Sequence, residues 1–303
     1  MSEPWRKLVA AGKARAGVEL AGLTTYKLGG PAAYFVEVNE VSTLAAIAEA
    51  LAESPLPVLV LGRGSNLVIA DEGFPGVVIR LGRRFAGIEP GKVVVAGGAA
   101  GLPQVARTAT AAGRRGVEFM IGIPGTVGGG VRQNAGCFGR EMVDVLESVD
   151  LFDLGRGEAT SVRAGDLAMA YRQTSVAPTQ IVLEARFRTE AGDPEAGAAL
   201  IREITRWRRL HQPGGTLNAG SVFKNPPNDS AGRIIDSLGL KGTAVGGASV
   251  SEKHANFFVA MPGTKASEVY LLVEKVREAV KARTGIDLEP EICFAGRFAE
   301  RDD

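Results

Sequence analysis

Between Gly122 and Gly130 the chain places glycine at positions 122, 125, 128, 129 and 130 and proline at 124. Glycine tolerates backbone conformations that a Cβ forbids and lets another surface approach the main chain closely. A run this dense is penalised inside a helix or a strand. The segment is therefore expected to be a wall of exposed backbone N–H groups, the surface that a diphosphate or a planar cofactor needs. A second glycine turn, Gly62-Arg63-Gly64-Ser65-Asn66, lies upstream within VLVLGRGSNLVI, residues 58–69. Two such cradles in one chain suggest a large, phosphate-bearing cofactor.

The remaining composition excludes several classes. At 303 residues, 45% hydrophobic and 23% charged, the chain can bury a sizeable core and is expected to divide into two or three domains. A net charge of +1 argues against a dedicated nucleic-acid binder. Cys137 and Cys293 are the only cysteines and lack metal-ligand spacing, so neither a disulfide framework nor a metal site is expected. The start, MSEPWRKLVAAGKARAG, has no apolar signal region, and nothing later reaches the roughly 18 apolar residues of a membrane span. A cytoplasmic, monomeric protein without a membrane partner is expected.

Apolar spacing predicts a helix over 42–53 behind a Ser/Thr cap, ended by Pro55 and Pro57. Strands follow at Val58–Leu61, Leu67–Ile69, Val77–Leu81 and Lys92–Ala96, then a helix at Leu102–Ala112 with Pro103 in its first turn. Beyond the glycine run come strands near Val145–Phe152 and Ile181–Phe187 and helices over Pro194–Leu210 and Ala231–Leu238. A strand in Phe257–Ala260, a helix over Ala266–Arg283 ended by Gly285, and a strand at Glu291–Ala295 complete the pattern. It reads as α+β, two β-rich lobes followed by a smaller α/β unit.

The first cradle is not a dinucleotide fingerprint, because Leu67 opens a strand where that motif requires a helix. It is a strand–turn–strand nest offering N–H groups and the Ser65 hydroxyl to an anion; taken alone, a plain tight turn explains it. The second cradle is more specific, since a single turn does not need five glycines; its bland counterpart is a tight crossing without a ligand. Asn134, Ala135, Gly136 and Cys137 form a further loop of small residues able to admit a flat ring. In TTYKLGGPA, Tyr26 and Lys27 can meet a ligand or line a solvated turn. Arg172 in YRQTS can clamp a carboxylate with its planar fork, although 25 arginines make a surface position the default. Ser221, Lys224 and Asn225 bring a hydroxyl, an ammonium and an amide close together before Pro226, suited to holding a diphosphate or supplying a proton, or else to an ST-turn. Glu291 alternates with Ile292 and can face a cleft or water. No GxxxxGK[ST] and no GxSxG motif occurs, and His211 and His254 are the only histidines, which disfavours P-loop and Ser-His-Asp chemistry.

Taken together, TTYKLGGPA, LGRGSNLVIADEGFPGVVI, GVEFMIGIPGTVGGGVRQNAGCFG, YRQTS, AGSVFKNP, SEKHANFFV and LEPEI resemble, in order, the UDP-N-acetylenolpyruvoylglucosamine reductase family. The span from Arg172 to Ser221 is similar to the family's shorter form, which lacks an extra tyrosine-bearing loop. The resemblance implies an α+β FAD-binding fold of the vanillyl-alcohol-oxidase type in two lobes, residues 1–61 with 286–303 and residues 62–197. It adds a C-terminal α/β substrate domain over 198–285. It implies NADPH-dependent, FAD-mediated reduction of an enolpyruvyl ether to the lactyl ether of UDP-N-acetylmuramate, in peptidoglycan precursor synthesis. Catalytic roles fall to Arg172 beside the substrate carboxylate, Ser221 as proton donor and Glu291 as a hydrogen-bonding partner. Non-covalent FAD would be held by Tyr26 and by Gly62, Arg63, Gly64, Ser65 and Asn66. The second cradle would add Gly122, Ile123, Pro124, Gly125, Thr126, Gly128 and Gly129, and the following loop Asn134, Ala135 and Gly136. The nucleotide-sugar substrate would meet Lys224, Asn225 and Asn256.

Two other readings compete. An oxidase on the same fold usually tethers its flavin through His or Cys, and only Cys137 lies near such a loop. A non-catalytic nucleotide-sugar binder would use the glycines but not Arg172, Ser221 and Glu291 together.

Overall fold

In the computed structural model, which describes residues 2–298, the helix Ala266–Thr284 buries Val269, Leu272, Val273, Val276 and Val280. That spacing lays one apolar stripe along its length. Gly285, at φ +76°, ends it in the left-handed conformation, as expected from the sequence. Its start is held from far away in the chain: Asp71 accepts hydrogen bonds from the N–H groups of Ala266 (2.7 Å) and Ser267 (3.0 Å). The chain gathers into two units. This helix belongs to the unit formed by Gly17–Ala33, Arg63–Pro75 and the chain from Arg209 onward. The stripe packs on the helix Ala231–Ser237, on Tyr26, Val222, Phe223 and Phe258, and on Val68 of the strand Leu67–Ile69. That strand runs parallel to Cys293–Ala295, and a three-stranded antiparallel sheet, Ala244–Val245, Ala248–Val250 and Phe258–Ala260, completes the unit.

The other unit comprises the chain up to Ala16, Tyr34–Gly62 and Gly76–Arg208. Its five-stranded antiparallel sheet runs Glu158–Arg163, Leu146–Asp153, Gln180–Arg188, Val93–Gly97, Ile88–Glu89. The helices Leu102–Ala111 and Val127–Arg132 share one apolar core with it through Leu102, Val105, Val127 and Val131. A second core collects Trp5, Leu8, Leu44 and Ile47 from the helices Glu3–Ala10 and Val41–Glu53. They cover Tyr34, Val36, Val38, Val77 and Ile79 of a sheet ordered Arg15–Glu19, Pro31–Val38, Phe74–Leu81, Val58–Val60.

Several expectations need correction. Gly128, Gly129 and Gly130 lie inside the short helix Val127–Arg132 rather than in an irregular wall. Packing outweighs propensity there, because a Cβ on Gly130 would come within 2.8 Å of the Leu102 and Met142 side chains. The helix at Val41–Glu53 starts at Glu40 without a side-chain cap, so no Ser/Thr cap operates. Glu291 precedes the last strand, which begins at Cys293. The helix Glu3–Ala10 and the strands Arg15–Glu19, Pro31–Val38 and Glu158–Arg163 were not anticipated.

Asp71→Ala should lower stability by about 1 kcal/mol, measured by thermal or urea unfolding, since it removes a cap that also opposes the helix dipole. Partial burial pushes the Asp71 carboxyl up, but hydrogen bonds from the Ser267 side chain and the Ser267 and Ala266 N–H groups, with Lys265 nearby, hold it below the usual range. A depressed carboxyl stabilises the fold above its unfolded pKa and loses that contribution as pH falls through the folded value. The difference between wild type and Asp71→Ala should therefore shrink on acidification below about pH 4.

Candidate functional site

Gly62 and Gly129 both leave exposed main chain beside Thr126. A Cβ built on Gly62 would reach the Thr126 hydroxyl at 2.7 Å, and one on Gly129 would lie 3.6 Å from it. The same hydroxyl accepts the Gly129 N–H at 3.3 Å and caps the helix Val127–Arg132. Within this unit the end of the first cradle thus adjoins the second, and bare backbone flanks a fixed hydroxyl. Pro124 is exposed and Ile123 and Gly125 are half-buried beside it, whereas Gly122 is buried. This is the surface that a flat, phosphate-bearing group requires.

The loop after the short helix carries the second cluster. Asn134, at φ +40°, is 0% exposed, so its side chain does not face a ligand. Its carboxamide nitrogen donates to Glu141 Oε2 (2.8 Å) and to the Ala170 carbonyl (2.9 Å), and its oxygen accepts the Val143 N–H (3.0 Å). Asn134 was expected at the cofactor; its side chain instead anchors the loop bearing Arg172. Ala135 and Gly136 beside it remain half-buried. Arg172, itself at φ +55°, pairs through Nη1 with Glu141 Oε1 at 3.2 Å and lies 4.8 Å from the Tyr171 ring centre. Two non-glycine residues in the left-handed region within one cluster mark a backbone held there by its surroundings. Glu141 was not singled out from the sequence; the signal that could have found it is the first of two carboxylates, Glu141 and Asp144, between a small-residue loop and the strand Leu146–Asp153. Burial raises the Cys137 thiol, outweighing the opposite pull of Arg208 and Arg172, a shift that lowers its thiolate fraction.

The other unit assembles the remaining motifs. The Thr25 N–H bonds the Gly64 carbonyl (3.1 Å), and its hydroxyl reaches the Asn218 carbonyl (2.7 Å), bringing TTYK, GRGSN and the approach to Ser221 together. Arg63 is exposed and Ser65 half-buried. Tyr26 was expected at the cofactor, but it is 0% exposed and its hydroxyl donates to the Phe258 carbonyl at 2.8 Å. Burial pushes its phenol far above the usual range, so it serves the core.

Asn66 donates through Nδ2 to the Glu291 carbonyl (3.0 Å), and the Glu291 N–H bonds the Val222 carbonyl (2.7 Å). Lys224 N–H bonds the Glu289 carbonyl (2.9 Å), so LEPEI lies alongside GSVFKN. Ser221 and Glu291 are both half-buried on these neighbouring segments. Lys224 Nζ pairs with Glu289 Oε1 at 2.5 Å, and Asn225 is exposed, its Oδ1 accepting the Ala231 N–H at 3.1 Å. Asn256 was expected to bind substrate, yet it is 3% exposed and both ends of its carboxamide hold Phe223: Oδ1 takes the N–H (2.9 Å) and Nδ2 gives to the carbonyl (2.8 Å). Its side chain fixes the Ser221–Lys224 segment rather than reaching a ligand.

The family model described as an FAD binding domain matches residues 32–163, and that described as the UDP-N-acetylenolpyruvoylglucosamine reductase C-terminal domain matches residues 212–295. The UDP-N-acetylenolpyruvoylglucosamine reductase of Erythrobacter litoralis is 41% identical over 94% of this chain and 88% of its own. UDP-N-acetylenolpyruvoylglucosamine reductase 2 of Symbiobacterium thermophilum is 41% identical over 98% of this chain and 97% of its own. The crystal structure of UDP-N-acetylenolpyruvylglucosamine reductase from Thermus caldophilus superposes with a TM-score of 0.82 at 36% identity, covering 93% of this chain and 100% of that one. A berberine-bridge-enzyme-like protein of Physcomitrella patens shares the fold alone, at 13% identity and a TM-score of 0.57 over 93% of this chain and 89% of its own. The fold is the expected α+β FAD-binding type of the vanillyl-alcohol-oxidase class.

Proposed function

The chain belongs to the UDP-N-acetylenolpyruvoylglucosamine reductase family, and from that premise we propose that it reduces the enolpyruvyl ether of UDP-N-acetylglucosamine to UDP-N-acetylmuramate with electrons from NADPH. The observation that carries this reading is the joint match of an FAD domain and the family's own C-terminal domain to one chain. FAD, when bound, supplies the hydride, and the exposed backbone at Gly62 and Gly129 beside Thr126 suits it.

The substrate's double bond is conjugated to a carboxylate. Reduction at its terminal carbon builds negative charge on the neighbouring carbon and on that carboxylate. Arg172 meets the carboxylate with its forked donors. Glu291 assists by hydrogen bonding, and Ser221 Oγ delivers a proton to the neighbouring carbon. A serine hydroxyl is a weak acid, so it acts only against a strongly basic carbanion-like centre. Lys224 and Asn225 are assigned to the nucleotide diphosphate, which would draw Lys224 from the exposed Glu289. Tyr26, Asn134 and Asn256 become supports of the segments around them. We assign cofactor work to 1–61 with 286–303 and to 62–197, and substrate work to 198–285, although the compact units cut the chain differently, grouping Gly17–Ala33 and Arg63–Pro75 with the chain from Arg209 onward. The reading places the protein in the cytoplasm as a monomer, serving cell-wall synthesis and through it cell shape and division. Among the described residues no helix is long and apolar enough to cross a membrane.

The test is an anaerobic visible spectrum of the purified protein during sequential additions. A flavin band that bleaches with NADPH and returns with the enolpyruvyl sugar nucleotide is expected, as is release of the flavin on acid precipitation. A colourless protein, inert after added FAD, would refute the reading.

A further inference from the structure

We infer that Glu141 is the positioning residue of Arg172, presenting its guanidinium to the substrate carboxylate; this rests on the role proposed above for Arg172. The argument is one of donors and acceptors. Arg172 Nη1 approaches Glu141 Oε1 at 3.2 Å, and Asn134 Nδ2 approaches Oε2 at 2.8 Å. The orientation of Asn134 is set independently, because its nitrogen also faces the Ala170 carbonyl and its oxygen faces the Val143 N–H. Both Glu141 oxygens therefore meet donors, one from each neighbour. The main chain fixes the carboxylate in turn. Glu141 pairs with Gly136 in a short antiparallel ladder, and its N–H bonds Asp144 Oδ2 at 2.8 Å. A Cβ at Gly136 would come to 2.8 Å from Glu141 Cγ and 3.3 Å from Arg172 Nη1, so the ladder is tight around the pair.

Arginine carries five donors in a rigid fork. Engaging Nη1 at Glu141 restrains a long side chain that would otherwise sample many rotamers. Neutralising Glu141 sets a carboxamide N–H against either Asn134 or Arg172 and weakens the restraint on the guanidinium.

The experiment compares Glu141→Gln, Arg172→Ala and the double variant in the two half-reactions measured separately. In Glu141→Gln, reoxidation of the NADPH-reduced enzyme by the enolpyruvyl sugar nucleotide should slow about 100-fold. Flavin content and flavin reduction by NADPH should stay within about twofold of wild type, a split that a structural role would not produce. Added guanidinium should restore part of the rate to Arg172→Ala but not to the double variant, because Glu141 is what holds the added ion. Equal slowing of both half-reactions, or loss of flavin, in Glu141→Gln overturns the inference and leaves the role of Arg172 standing. Unchanged reoxidation in Glu141→Gln while Arg172→Ala is slow does the same. Unchanged reoxidation in Arg172→Ala overturns both.

Discussion

Ser221→Ala is expected to slow reduction of the enolpyruvyl sugar nucleotide by about 1,000-fold, within the range that a positioned proton donor contributes. Flavin reduction by NADPH should persist in the same variant, since that step needs no proton at the substrate carbon. Stopped-flow absorbance of each half-reaction makes the comparison. Ser221 sits half-buried between Ala219 and Val222, both in the core, and its segment is held by Asn256 through Phe223. Removing one oxygen should leave that scaffold intact, so unfolding of the variant should match wild type within about 0.5 kcal/mol. Ser221→Cys, with a more acidic donor, should recover part of the rate. Equal losses in both half-reactions would remove Ser221 from the proton-donor role.

Gly122→Ala should be the more damaging change to the molecule as a whole. The new Cβ would overlap Cys137 Sγ and lie 3.1 Å from its Cβ. Cys137 follows the Asn134–Gly136 loop directly and has no long side chain with which to move aside. Overpacking of this kind costs about 1–3 kcal/mol, a fall in midpoint temperature of roughly 2–4 °C per kcal/mol for a unit of this size. The displaced loop carries Ala135 and Gly136 with it, so purified Gly122→Ala should hold less flavin than wild type. Gly122→Ala/Cys137→Ala relieves the contact with sulfur but not that with Cβ, and should recover part of both losses. A double variant no better than Gly122→Ala would show that Cys137 is not the obstacle.

What could be read from the sequence depended on whether one local pattern decided the outcome. The stripe Val269 to Val280 and its terminating Gly285 are local, and the helix Ala266–Thr284 was legible to within a residue at its end. The glycine run was legible as a place of close approach but not as a helix, because what permits Gly130 in a helix is Leu102 and Met142. Tyr26, Asn134 and Asn256 were recognisable as special residues, yet their side chains face Phe258, Glu141 and Phe223. An aromatic hydroxyl or a carboxamide meets a ligand or a main-chain group with the same chemistry, and only distant partners decide which. Glu141 went unnoticed for the same reason, since its partner Arg172 lies 31 residues away.

The capping of Ala266–Thr284 by Asp71 has a bearing on how the chain is made. Asp71 and the N–H group of Ala266 are 195 residues apart, and the strand Leu67–Ile69 finds its parallel partner only at Cys293–Ala295. At ribosomal rates of about 5–20 residues per second, the loop Arg63–Pro75 emerges roughly 10–40 s before the segments that complete it. During that interval Leu67, Val68 and Ile69 present an apolar strand whose ladder partner is not yet made, the kind of segment that invites association with other nascent chains. The discontinuous unit thus makes the synthesis of residues 266–295 the moment at which a long-lived folding hazard ends.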